Sequence, residues 1–134
     1  MTESPRVRTF RELHRSGCFV IPNPWDLGSA RVLVQLGFPA LATTSSGFAW
    51  SRARPDNGVP LADALAHFQA IAGGVDVPVN GDFEGGFAVA PDDVAKNVSA
   101  AAATGIAGLS IEDSTGDPAG PLCSFAHAVD RIRA

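Results

Sequence analysis

The sequence predicts an α/β fold built on a parallel sheet, and three observations carry that reading. Short apolar runs alternate with stretches of helical periodicity along the chain. The apolar runs are nearly continuous rather than alternating, and each ends in a polar or acidic cluster. Strands separated by helical segments need crossover connections and therefore pair in parallel. Such strands are covered by helices on both faces, which accounts for their continuous apolar character.

An opening helix is expected over residues 4–14. The run CFVIP, residues 18–22, reads as a first strand. DLGSARVLVQLG then reads as a helix, capped by Asp26 and stopped by Gly37. PALATT, residues 39–44, is the second strand, followed by a loop rich in glycine and proline and the helix LADALAHFQAIAGG. VPVNGD is the third strand. PDDVAKNVSAAAATG is its crossover helix, with Pro91 at a first helical position and Gly105 past the end. IAGLSIED is the fourth strand and SFAHAVDRIRA the last helix.

The 134 residues suffice for one hydrophobic core, and 46% of them are apolar while 18% are charged. No apolar run approaches the roughly 20 residues that span a bilayer, and the first residues lack the unbroken apolar stretch of a secretory signal. A net charge of −4 without a basic cluster argues against nucleic acid as a partner. Two cysteines, Cys18 and Cys123, make neither a disulfide framework nor a zinc spacing. A cytoplasmic protein is expected.

In parallel α/β folds the working residues lie at the C-terminal ends of the strands. Asn23 and Asp26 follow the first strand, and Thr44, Ser45 and Ser46 the second. Asn80, Asp82 and Glu84 follow the third, Glu112 and Asp113 the fourth. One rim would collect them all. Carboxylates at the tip of a buried strand are costly unless solvated, paired or bound to a cation.

Each residue also has a plainer reading. Asp82 suits a turn, Asp26 a helix cap, Asp56 the turn in RPDNG, and Ser46 and Gly47 a tight bend. Trp25 is expected as a packed wall of the rim and Cys18 as a core residue. His14, His67 and His127 fall in helical patterns away from the rim and read as structural or solvated. FEGGF lacks the Lys-Ser/Thr ending of a phosphate loop. Four strand–helix units fit either a small open sheet or the first half of an eight-stranded barrel, which takes roughly 200 residues or more.

Taken together and in order, IPNPWDLGSARVLVQLGFPALATTSSGFAWS, DVPVNGDFEGGF and GLSIEDSTGDP resemble the isocitrate lyase/phosphoenolpyruvate mutase superfamily. The resemblance covers nearly the whole chain. It implies a TIM-type (β/α)8 barrel of which residues 1–134 form a single partial domain, without the C-terminal half. It also implies Mg²⁺ and a small 2-oxo or 2-hydroxy acid, or a phosphonate analogue, as substrate, with an enolate as the shared species.

By position, Asp82 and Glu112 match metal-site residues of the superfamily. Asn80 stands where many members carry another aspartate, and Gly81 takes a small-residue position. Ser46 and Gly47 match a Ser-Gly segment that holds substrate oxygens, and Asp56 falls in a loop that often carries a further site aspartate. The loop STGDPAGPLCSFAH lacks the Lys-Lys-Cys-Gly-His segment of isocitrate lyases, so Cys123 receives no catalytic role.

The function so implied is that of a lyase-type enzyme, whether carbon–carbon lyase or phosphonomutase, working as a homo-oligomer. The rival reading is a non-catalytic half-barrel that needs a partner half or only binds ligand, with two unpaired sheet edges. A flavodoxin-like binding domain is a third.

Overall fold

The computed structural model describes residues 4–134. Its elements run α1 (Pro5–Leu13), α2 (Leu27–Gln35), β1 (Leu41–Ala42), α3 (Ser45–Ser51), α4 (Leu61–Gly74), β2 (Val79–Asp82), α5 (Pro91–Ala102), β3 (Gly108–Ser110) and α6 (Phe125–Arg133). The strands make a parallel sheet in the order β1-β2-β3. Leu41 lies opposite Val79, and Asn80, Gly81 and Asp82 lie opposite Gly108, Leu109 and Ser110. The predicted parallel α/β class is the observed one.

Local chemistry sets the helix ends. The Asp26 side chain accepts from the Ser29 N–H at 2.7 Å while Ser29 Oγ bonds back to the Asp26 backbone, a reciprocal cap that starts α2. Gly37 and Gly105 follow α2 and α5 at φ +91° and +92°, a region that carries no Cβ penalty only for glycine. Pro91 opens α5, where a missing N–H costs nothing.

Three expectations fail. Residues 18–22 run beside β1 without joining the ladder: Pro22 offers only its carbonyl, which accepts from Ala42 N–H at 3.1 Å. Proline has no N–H to return, so the pairing stops there. Cys18, expected in the core, is exposed. The segment after β1, expected as a loop, instead winds into α3, with Thr44 Oγ1 accepting from Gly47 N–H at 3.3 Å.

The core lies between β1, β2 and the helices, where Leu41, Phe68, Ile71, Val79 and Phe83 are fully or almost fully buried. Side chains alternate across a strand. Val79 and Gly81 face α4; a Cβ on Gly81 would sit 3.0 Å from Phe68 and Ile106. Asn80 and Asp82 therefore share the opposite face. Phe10 of α1 covers that face lower down, since a Cβ on Gly108 would lie 2.8 Å from its ring. Arg6 fixes α1 in place by donating to the carbonyls of Ala72 and Val75.

Phe68 of α4 packs against both β2 and Phe83. Phe68→Ala is expected to lower unfolding free energy by about 3–5 kcal/mol, the cost of a large buried truncation. Urea denaturation measures it, and a loss below about 1 kcal/mol would move the core elsewhere.

Candidate functional site

Alternation aims Asp82 at the open face of the sheet, and two neighbours fix its carboxylate. Oδ2 accepts from the Ser45 N–H at 2.8 Å and from Ser45 Oγ at 2.9 Å. The Asp82 N–H donates to Thr43 Oγ1 at 2.8 Å. Residues just past β1 thus orient a side chain at the end of β2. Asn80 lies one pleat lower on the same face, its Nδ2 donating to Ser110 Oγ at 3.5 Å.

Strand pairing continues past the ladder. Phe83 N–H donates to Ser110 O at 3.0 Å and Glu112 N–H to Glu84 O at 2.8 Å, so the backbones of the two acidic loops are joined. Glu84 has φ +47°, an uncommon conformation for a residue with a Cβ, and the residue is 8% exposed. Arg131 of α6, itself buried, braces this corner. Its guanidinium donates to the carbonyls of Gly85 and Glu112 and to Cys123 Sγ. Asn97 of α5 donates to Gly86 O at 2.9 Å.

The charges crowd. Burial pushes the Glu84 carboxyl up to about 7, and the charges of Asp56, Asp82 and Glu112 add to that. Burial also raises Glu112, with Asp82, Asp56 and Asp113 contributing. Among the described residues no basic side chain forms an ion pair with Asp56, Asp82, Glu84 or Glu112. Nor do three or more His, Cys, Asp or Glu side chains converge into a metal cage there. A hard cation that keeps several waters needs only one or two carboxylates, and this acidic rim without counter-ions suits one.

The candidates separate into groups. Asp82, Glu84, Glu112 and the exposed Asp56 act on one another electrostatically. Ser46 Oγ lies 3.4 Å from Thr44 Oγ1, beside the segment that holds Asp82. Gly47 is buried, and its N–H is committed to the Thr44 cap rather than free for a ligand. A Cβ there would collide with the Trp25 indole, so glycine is required. Trp25 is 45% exposed and meets Trp50 edge-on, at 6.0 Å between ring centroids.

A cavity of about 510 Å³ opens beside the rim, lined by Asn57, Glu84, Ser114, Cys123, His127 and Arg131 among others. It shares Glu84 with the acidic cluster but does not include Asp82 or Glu112. Two histidines expected away from the rim are close to it after all. His127 lines this cavity, and His67 lines a much smaller one together with Asp82 and Glu84. The signal for His67 was its spacing: it falls in the buried stripe Ala64, Phe68, Ile71 of α4.

The family model described as phosphoenolpyruvate phosphomutase matches residues 10–134. An uncharacterized protein of Mycobacterium tuberculosis is 37% identical over 117 residues, covering 81% of this chain and 42% of that protein. Among solved structures, a Burkholderia cenocepacia protein described as a lyase/mutase superposes with a TM-score of 0.94 at 43% identity, over 97% of this chain and 47% of its own. Phosphonopyruvate hydrolase in complex with oxalate and Mg²⁺ has a TM-score of 0.89 at 23% identity, over 95% and 46%. The last shares the fold. The chain spans about half the length of each protein it matches, and its fold is half of their (β/α)8 barrel. No helix among the described residues is long and apolar enough to cross a membrane.

The Glu84 carboxyl gives the site a pH signature. Its folded value of about 7 lies above the ordinary 4.5, so folding takes up a proton between these limits. Its contribution to stability is complete below about pH 4.5 and is lost as pH rises through about 7. In metal-free buffer, the melting temperature is expected to fall across that window, and Glu84→Gln to flatten the fall. Melting scans in buffers from pH 4.5 to 8 measure it; equal slopes in both proteins would contradict the assignment.

Proposed function

Because the chain belongs to the phosphoenolpyruvate phosphomutase family, we propose that its acidic rim holds Mg²⁺ and serves a lyase-type reaction on a small 2-oxo or 2-hydroxy acid or a phosphonate analogue. The observation that carries this reading is that Glu84 and Glu112 both feel the charges of Asp82 and Asp56, with no ion-paired basic partner among the described residues. Asp82 and Glu112 are the residues we assign to the metal, directly or through water.

When bound, the cation supplies Lewis-acid stabilisation of negative charge developing on a substrate oxygen. The chain's own residues do the positioning. Ser45 holds one oxygen of Asp82, which leaves Oδ1 directed to another ligand. Ser46 and Asp56 flank the rim and are assigned to substrate, Ser46 through its hydroxyl. Gly47 contributes by its lack of a side chain, which lets α3 and Trp25 pack closely beside the site. Asn80 replaces a carboxylate with a neutral amide one pleat below Asp82, which lowers the charge repelling a carboxylate substrate.

The test is thermal unfolding with and without Mg²⁺ and oxalate, an enolate mimic, for the protein and for Asp82→Asn. A ligand that binds only the folded state stabilises by about 2.7 kcal/mol at a hundredfold excess over Kd. A clear rise in melting temperature for the unmodified protein, lost in Asp82→Asn, is expected. No rise, or the same rise in both, would overturn the proposal.

A further inference from the structure

His67 is 9% exposed and Glu84 is 8% exposed, and both line a small cavity that also includes Asp82. The His67 ring is fixed by stacking on Phe48, with centroids 3.8 Å apart and planes 12° from parallel. Its Nε2 is buried and has no hydrogen-bond partner in the protein. Burial lowers the histidine to about 4, so at neutral pH the ring is uncharged, with one nitrogen free to accept. A buried polar atom left unpaired costs about 1–3 kcal/mol. Native structures relieve that cost with protein groups or an ordered water.

The cavity has the size and lining for the second solution. Its volume of about 10 Å³ is at the lower limit for one water molecule and too small for more. Thr43, Asp82 and Glu84 supply polar walls, while Phe48, Val59 and Phe68 close the rest. Thr43 is 3% exposed, and its Oγ1 already accepts from the Asp82 N–H, so its own O–H is left to donate. Glu84 and Phe87 line both this space and the larger cavity.

We propose that one buried water fills this small cavity, accepts from Thr43 O–H, and donates to His67 Nε2 and to the Glu84 carboxyl group, so that His67 is a positioning residue of the acidic site. Three bonds satisfy the water and His67 Nε2 together. The arrangement links α4 to the residue that sits at φ +47° with a buried carboxyl. His67 touches neither substrate nor cation; it acts through Glu84. The presence of the water is independent of the metal-site reading, whereas its effect on cation affinity rests on it.

A crystal structure of the protein at a resolution that defines ordered waters reads the first part. A water within hydrogen-bond distance of both His67 Nε2 and the Glu84 carboxyl is expected; a dry cavity, or a water that does not reach His67, overturns the inference. Long-range ¹H–¹⁵N correlation on the intact protein is expected to give an unprotonated Nε2, and a protonated Nε2 would contradict it. His67→Phe keeps the ring stack and removes the acceptor, and His67→Gln restores a polar end. His67→Phe is expected to weaken Mg²⁺ binding by about threefold to tenfold, the equivalent of one net hydrogen bond, with partial recovery in His67→Gln. If the unmodified protein binds Mg²⁺ and His67→Phe binds it equally well, the positioning role is wrong. Absence of Mg²⁺ binding by the unmodified protein would instead sink the metal site, while the crystallographic water and the tautomer still decide the cavity.

Discussion

Asp82 is held from two directions, and the rest of the rim is arranged around that restraint. Its N–H is taken by Thr43 Oγ1 and its Oδ2 by the amide and hydroxyl of Ser45. Both partners come from the segment that leaves β1, so the carboxylate locks two adjacent strand ends together. The first residue of α3 donates its otherwise unsatisfied N–H to this anion, an arrangement that stabilises both the helix start and the charge. An oriented carboxylate of this kind keeps one oxygen committed to the protein and presents the other. Glu84 and Glu112 lie on the same rim, in loops that are paired through backbone and braced by Arg131.

The crowding that results is a cost to the fold. Burial raises the carboxyl values of Glu84 and Glu112, and the charges of Asp56 and Asp82 raise both further. Proteins keep such strain where function uses it. A cation among these groups would turn repulsion into attraction, and the neutral Asn80 beneath them keeps the excess charge limited. The buried His67 fits the same economy of charge, since an uncharged ring can join the carboxyl network without adding a second unpaired ion.

Much of the fold is legible in the sequence because local chemistry marks it. Asp26 with Ser29, Pro91, Gly37 and Gly105 each satisfy a specific requirement at a helix end, and α2 and α5 begin where Asp26 and Pro91 place them. The alternation of Val79 and Gly81 against Asn80 and Asp82 likewise predicts which residues face the rim. Residues 18–22 mislead because apolar content reads as strand while Pro22 withholds the N–H a ladder needs. α3 is hidden because a Ser- and Gly-rich segment has low helix propensity; the Thr44 cap and packing against Trp25 override it. Glu84 is harder still. A non-glycine residue in the left-handed region leaves no sequence signal, and the Arg131 brace on the adjoining Gly85 carbonyl comes from α6, almost fifty residues on.

The central claim is that a divalent cation sits on this rim, held by Asp82 and Glu112. The most direct measurement is anomalous diffraction from crystals of the protein soaked with Mn²⁺, a heavier stand-in for Mg²⁺, together with oxalate. A single anomalous peak between the Asp82 Oδ1 side and Glu112, at direct or water-mediated coordination distance, is the result this account requires. A peak elsewhere, or no peak at a Mn²⁺ concentration that saturates a control metalloenzyme, would contradict it.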